Sequence, residues 1–120
     1  SIQRDWGGTM NVIHECDDMM PGANCTGYVT VQNTGNFESS FELHSESITD
    51  NIQISVDQTE LSLGNGQTVV TEFTITLDED LLADTTGTVL LKLIDSDDGT
   101  IYQTQSFSTT VEAIYGWEIV

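Results

Sequence analysis

Residues 68–77 read TVVTEFTITL, and this stretch decides the fold class. One face of it carries Val69, Thr71, Phe73, Ile75 and Leu77. The opposite face carries Glu72, Thr74 and Thr76. Alternation with a period of two indicates a strand with one buried face, and the β-branched and aromatic residues favour a pleated sheet. The stretch therefore predicts a long, half-buried β-strand.

Seven other runs, most of which alternate in the same way, are bounded by Gly, Asn, Asp or Ser and are also predicted to be strands. They span 9–14, 26–32, 39–45, 51–56, 60–63, 88–94 and 100–112. Seven or eight strands at this spacing predict an all-β fold, an immunoglobulin-like antiparallel β-sandwich with Greek-key connections. At 120 residues the chain has the size of a single domain, residues 1–120.

Three segments carry more specific expectations. Residues 88–94 are apolar on both faces, which predicts a central strand covered on two sides. In the final strand, Ile101, Phe107 and Val111 are predicted to face the core. The acidic connection at 78–84 is predicted to hold one helical turn.

The two cysteines, Cys16 and Cys25, lie too close together for the inter-sheet bridge of antibody domains. We expect a local disulfide; the alternative, a thiol–metal site, would need more ligands, and His14 is the only nearby candidate. Asn24 opens an N-glycosylation acceptor pattern with Thr26 as its third residue. Disulfides and N-glycans both belong to exported proteins, so the chain is predicted to be extracellular or at the cell surface.

The charge balance excludes several partners. Arg4 and Lys92 stand against 20 acidic residues, which gives a net charge of −18. Nucleic acids are excluded because phosphate binding needs clustered basic side chains, and anionic membrane surfaces would repel the domain. No run of 18 apolar residues exists, so no direct membrane insertion is expected. We expect salt or divalent cations to screen the self-repulsion of the folded chain.

The turn at 95–99 is the candidate cation site, with Asp95, Asp97 and Asp98 as ligands. Ca²⁺ is the candidate cofactor because it seeks several carboxylate and carbonyl oxygens on one flexible loop. The alternative is a hairpin turn in which Asp and Gly serve the backbone geometry. No other cofactor is indicated.

Nothing in the sequence indicates an enzyme. His14 and His44 are the only histidines, and His44 is predicted to face solvent. With 20 acidic residues, some carboxylate pair always looks suitable for glycoside hydrolysis, so such a pair has no specificity. The chain is therefore predicted to bind and pack rather than to catalyse.

The strand-and-turn stretches at 29–36, 54–56, 63–67 and 87–91 resemble the immunoglobulin-like adhesion modules of bacterial and archaeal surface proteins. These modules include the CARDB and NEW3 classes, and the resemblance covers residues 26–112. It implies a spacer, adhesion or accessory unit of a larger extracellular protein.

An apolar segment at 113–120 follows the last strand and is predicted to contact a neighbouring chain or domain. The residues predicted to bind a partner are Trp6, Ile114, Tyr115, Trp117, Ile119 and Val120. The leading hypothesis is a structural module of an extracellular assembly, such as a filament, pilus-like fibre or surface layer, whose partners are copies of itself or adjacent domains. The alternative is a carbohydrate-binding or adhesion accessory domain, in which exposed aromatic rings stack on sugars.

Overall fold

The computed structural model describes residues 4–112, and within that range all regular structure is β. The strands are β1 (Gly8–Ile13), β2 (Asp18–Met19), β3 (Asn24–Asn33), β4 (Ser39–Ser47), β5 (Ile52–Val56), β6 (Glu60–Leu63), β7 (Thr68–Leu77), β8 (Thr86–Asp95) and β9 (Ile101–Val111). They form two sheets, in the orders β1-β3-β7-β5 and β2-β9-β8-β4-β6. The predicted class, an all-β immunoglobulin-like sandwich, is confirmed.

Eight of these strands lie where alternation predicts them, with ends shifted by at most two residues. The exception is β2, which has two residues inside the cysteine loop and pairs in parallel with β9. Two residues are too few to show a period, so the sequence predicts seven or eight strands where the described range has nine. No helix in this range could cross a membrane.

The core lies between the sheets and is built mainly from the alternate residues of β3, β4, β7 and β8. Its most buried members include Val29, Val31, Phe73, Ile75, Leu77, Val89, Leu91 and Leu93. Gly27 faces Phe73 across the β3–β7 pair, and a Cβ at this position would collide with the phenyl ring. A glycine inside a strand is therefore explained here by the close approach of an aromatic side chain.

Three of the specific expectations need correction. Ile101 is 53% exposed rather than inward, because the β8–β9 register shifts between Leu93 and Ile94. Leu93 pairs with Gln103 but Ile94 pairs with Ile101, so the intervening Tyr102 is an extra residue that packs on the core instead. A one-residue irregularity of this kind changes which side chains face inward.

The central strand and the acidic connection also differ from expectation. The outer face of β8 carries half-buried Leu90 and Ile94, so it is partly open rather than fully covered. Residues 78–84 form turns without a helix; the amide of Leu81 donates to the Asp78 carbonyl, and the Asp78 carboxylate accepts from the amide of Asp80. Aspartate side chains favour such local turns over helix.

The sandwich has two distinct ends. We call residues 4–7, 33–37 and 95–100 the Trp6 end, and residues 14–25, 77–86 and 110–112 the disulfide end. Both β1 and β9 run from the Trp6 end to the disulfide end, because Gly8 pairs with Asn33 and Thr110 pairs with Asp18. The described chain therefore enters at one end and leaves at the other.

Side chains hydrogen-bond to main-chain groups on both edge strands of the first sheet. On one side, the amide of Met10 donates to Gln103 Oε1 at 2.8 Å and its carbonyl accepts from Gln105 Nε2 at 2.7 Å. On the other side, Ser45 Oγ donates to the carbonyl of Ile54 at 3.5 Å. These contacts occupy main-chain groups of β1 and β5 that an added strand would otherwise pair with.

Candidate functional site at the Trp6 end

The segment before β1 is fixed to the turn that follows β3. The amide of Asp5 donates to Asn36 Oδ1 at 2.9 Å, and the amide of Asn36 donates back to the Asp5 carbonyl at 3.0 Å. Trp6 packs against Phe37 at a ring-centroid distance of 6.1 Å, and the Arg4 guanidinium lies 4.7 Å from the same phenyl ring. Trp6 nevertheless remains 48% exposed. An apolar ring is thus held in a fixed place on the surface.

Asn33 holds this end together from beneath and is fully buried. Its Nδ2 donates to the carbonyls of Phe37 and Leu63 at 2.8 and 2.9 Å, and its Oδ1 accepts from the amide of Gly35 at 2.8 Å. The sequence places Asn33 in a turn but does not reveal this role. The signal that could have found it is an Asn at an inward position of an alternating strand.

The acidic turn at 95–99 is organised by its own backbone. Asp95 is buried; its Oδ1 accepts from the amide of Asp97 at 2.8 Å and its Oδ2 accepts from the Tyr102 hydroxyl at 2.7 Å. The Asp98 carboxylate accepts from the amide of Thr100 at 2.9 Å. Gly99 has φ of 79°, a left-handed value that suits glycine. This is the hairpin alternative foreseen for the turn.

Two pKa values at this turn are displaced. Hydrogen bonds from the Thr100 amide and hydroxyl lower the pKa of the exposed Asp98 carboxyl. Burial raises the pKa of the Tyr102 hydroxyl, and the hydrogen bond to the Asp95 carboxylate raises it further. Tyr102 therefore stays protonated and donates to Asp95 across the physiological range.

The three predicted Ca²⁺ ligands do not converge on a common point. Within residues 4–112, no three His, Cys, Asp or Glu side chains are grouped so that they could hold a metal ion. The Asp95 carboxylate already accepts hydrogen bonds from the Asp97 amide and the Tyr102 hydroxyl, whereas the Asp97 and Asp98 side chains are exposed. Together with Trp6 they line a shallow cavity of about 180 Å³. The cavity combines one aromatic residue with carboxylates, which accept hydrogen bonds.

At the disulfide end, Cys16 and Cys25 form the expected disulfide, with 5.8 Å between their Cα atoms. The thiol–metal alternative is therefore wrong. His14 is half-buried; its Nδ1 accepts from the amide of Cys16 at 2.9 Å and its ring lies 4.7 Å from that of Phe107. His44 is exposed, as predicted. A disulfide in a small domain is consistent with an extracellular location.

The other predicted binding residues are distributed as follows. Ile114, Tyr115, Trp117, Ile119 and Val120 lie outside the described residues. Among the described residues, Tyr28 is a second exposed aromatic side chain that a sugar could stack on, at 47% exposure. It pairs with Ile13 at the far end of β1, whereas Trp6 precedes the start of that strand. At about 3.3 Å per residue, the length of β1 separates the two rings by more than 15 Å.

Comparisons with known proteins support the fold and leave the function open. No family model matches the chain, and no curated protein matches it. It is similar to a FixG-related protein from Vibrio parahaemolyticus, with a TM-score of 0.69, 13% identity and coverage of 88% of this chain and 97% of that one. It is also similar to part of a family 123 glycoside hydrolase from Clostridium perfringens, with a TM-score of 0.69, 9% identity and coverage of 90% and 28%.

A third similar structure is a PapD-like domain of human CEP192, with a TM-score of 0.50, 10% identity and coverage of 88% of this chain and 84% of that one. At these identities the likeness concerns the fold alone, and the hydrolase match indicates no activity for this chain. The resemblance to CARDB and NEW3 modules is thus supported only as far as the all-β sandwich that these structures share.

Proposed function

We propose that the chain is a structural module of an extracellular or cell-surface assembly, joined end to end with adjacent domains or copies of itself. The observation that carries this proposal is the placement of the two ends. The chain enters at the Trp6 end and leaves at the disulfide end, after the 11 residues of β9. At about 3.3 Å per residue, β9 advances the chain by roughly 35 Å, and this separation of the two ends favours modules that follow one another in a row.

The exposed Trp6 supplies an apolar contact at the receiving end of each module. In a row of modules, we expect the segment that follows Glu112 to contact the Trp6 end of the next copy. That segment, 113–120, is rich in apolar residues. Fully burying a large apolar side chain contributes about 1.5–3 kcal/mol before ordering costs, so a few such contacts per junction suffice when repeated.

The side-chain contacts on both edge strands of the first sheet favour end-to-end association over the addition of a strand to that sheet. Gln103 and Gln105 occupy both main-chain groups of Met10 on β1, and Ser45 occupies the carbonyl of Ile54 on β5. A strand from a neighbour would have to displace these side chains before it could extend the first sheet. The proposal therefore places the contact surfaces at the ends.

The alternative, a carbohydrate-binding or adhesion accessory domain, draws support from the Trp6 cavity. An aromatic residue beside Asp97 and Asp98 suits a sugar ring and its hydroxyls. Against it stands the separation of Trp6 from Tyr28, which leaves each ring to act alone. We therefore rank the assembly role first.

The test is sedimentation analysis and electron microscopy of the chain at high salt, comparing wild type, Trp6→Ala and a deletion of residues 113–120. Val70→Ser is the matched control, because Val70 is 57% exposed but lies on the outer face of β7. We expect wild type and the control to form linear oligomers. Trp6→Ala should weaken association about tenfold, which corresponds to roughly 1.4 kcal/mol.

The deletion should give a folded monomer. A wild-type chain that remains monomeric at millimolar concentration would refute the proposal, and so would a Trp6→Ala variant that associates as wild type does. Binding of a simple sugar that quenches Trp6 fluorescence, without oligomers, would favour the accessory-domain alternative.

A further inference from the structure

We propose that Asn24 carries an N-linked glycan whose first sugar rings lie against Tyr28 and Ile13. The proposal rests on the extracellular location and is independent of end-to-end assembly. It joins two observations, the geometry of the acceptor sequence at the start of β3 and a cavity directly beside it.

The acceptor sequence is presented outward by the strand. Asn24 and Thr26 are both exposed on one face of β3, whereas Cys25 between them turns inward to the disulfide. A transferase reads the asparagine amide and the threonine hydroxyl, and both stay accessible after the disulfide has formed. Asn24 begins the only Asn-x-Ser/Thr sequence in the chain.

The acceptor sequence also lies at an edge of the sheet. Strand β1 pairs with β3 only from Tyr28 to Asn33, so residues 24–26 reach past its end. Over these residues the ladder partner of β3 is β7 alone, with Asn24 opposite Thr76. A bulky substituent at Asn24 can therefore be placed without displacing a neighbouring strand.

A cavity of about 260 Å³ adjoins this edge, lined by Ile13, His14, Glu15, Thr26 and Tyr28. Ile13 and Tyr28 are direct cross-strand partners and are 60% and 47% exposed, so they form one apolar patch. Tyr28 lies on the same face as Asn24, four residues or about 13 Å along the strand, with Thr26 between them. A glycan that extends from Asn24 along this face reaches the patch, and an aromatic face suits the C–H groups of a pyranose ring.

The sugar donor for this transfer is a polyprenyl diphosphate oligosaccharide. Asn24 Nδ2 attacks C1 of the first sugar, the C1–N bond forms, and the C1–O bond to the diphosphate breaks. The diphosphate leaves with the bonding electron pair, and the amide gives up one proton to a base of the transferase. No oxidant or reductant takes part.

The first test is intact and peptide mass spectrometry of the 120-residue chain secreted from a eukaryotic host. We expect a glycan mass on the peptide that contains Asn24, lost in Asn24→Gln and Thr26→Val and retained in Thr26→Ser, which keeps the hydroxyl. An unmodified Asn24 in a host that glycosylates a co-expressed control protein overturns the proposal. This readout does not depend on whether the chain assembles.

The second test asks whether the glycan contacts the patch, through a double-mutant cycle of Asn24→Gln and Tyr28→Ser. We expect Asn24→Gln to lower Tm by roughly 2–5 °C, the size of shift that a modest contact gives in a domain of this length. The same substitution should lower Tm by less than half as much when Tyr28 is already serine. Equal shifts in the two backgrounds overturn the contact with Tyr28, even if Asn24 is glycosylated.

Discussion

Replacing Asn33 by alanine should be among the most destabilising single changes in this domain. The side chain is fully buried and makes three hydrogen bonds of 2.8–2.9 Å, to Gly35, Phe37 and Leu63. Each bond contributes about 1 kcal/mol net, and each buried partner left without one adds a desolvation cost. We expect a loss of roughly 3–5 kcal/mol in the free energy of unfolding, where most substitutions cost about 1 kcal/mol.

Urea denaturation followed by circular dichroism measures this loss. With an m-value of roughly 1.5 kcal/mol/M, the midpoint should fall by about 2–3 M. Asn33→Asp is the sharper variant, because at neutral pH it keeps the acceptor for Gly35 but turns an oxygen toward the carbonyls of Phe37 and Leu63. We expect it to be at least as unstable as the alanine variant.

The matched control is Asn65→Ala, in the exposed turn between β6 and β7. It should change stability by no more than about 0.5 kcal/mol. If Asn33→Ala costs less than about 1 kcal/mol, or no more than the control, the amide does not hold the Trp6 end together and the reasoning fails.

Three further predictions concern the core, the Tyr102 hydrogen bond and the disulfide. Leu91→Ala should cost about 2–5 kcal/mol in urea denaturation, because Leu91 is fully buried on β8; a loss below about 1 kcal/mol would contradict its central place. Tyr102→Phe should cost about 1.5–3 kcal/mol at pH 7 by removing a hydrogen bond to the buried Asp95 carboxylate. The pKa of Tyr102 is raised on folding, so this difference should be complete below pH 10.0 and shrink as the pH rises above it; a constant difference up to pH 11 would refute the linkage. Replacing both Cys16 and Cys25 by serine should cost about 2–3 kcal/mol through loss of loop closure, and an unchanged Tm would contradict it.

The parts of the fold that follow from local alternation are predictable from the sequence. In TVVTEFTITL at 68–77, each inward residue is apolar or threonine and the strand lies where the pattern puts it. Burial of one face is a property of each residue and its second neighbour, so a period of two reports it directly. The same holds for Phe41 and Leu43 on β4, which are buried between exposed neighbours.

The parts that depend on distant partners are not predictable in this way. Gln103 and Gln105 are polar residues in a strand, which suggests an outward face, yet both reach across to Met10, 93 and 95 positions earlier in the chain. Asn33 likewise reaches Leu63, 30 positions away. The periodicity of a strand predicts which side chains are buried. It does not predict which distant group forms a hydrogen bond with a buried amide.

At the candidate site, too, local features are predictable from the sequence and contacts with distant residues are not. The sequence identifies the 95–99 turn and both of its alternatives, because Asp and Gly signal a turn and a cation loop equally well. The hydrogen bond from the Tyr102 hydroxyl to Asp95 is not predictable in this way, because the register shift that turns Tyr102 toward the core carries no local signal. Trp6 is predicted to be a contact residue, but the packing of its ring on Phe37 depends on a turn 31 residues further on.

In the proposed assembly, the excess of acidic residues sets the salt conditions under which the ends of two copies can come into contact. Of the two basic residues, Lys92 lies 4.0 Å from Glu46 and the Arg4 guanidinium covers Phe37, so little positive charge is available to attract a second copy. Two chains of net charge −18 repel each other across a Debye length of about 8 Å at 0.15 M salt, which shrinks to about 3 Å at 1 M. An apolar contact at Trp6 is attractive only when the atoms are in van der Waals contact. For the proposed contact to form, salt must therefore first screen the repulsion between the two copies, and the same screening relieves the self-repulsion that opposes folding.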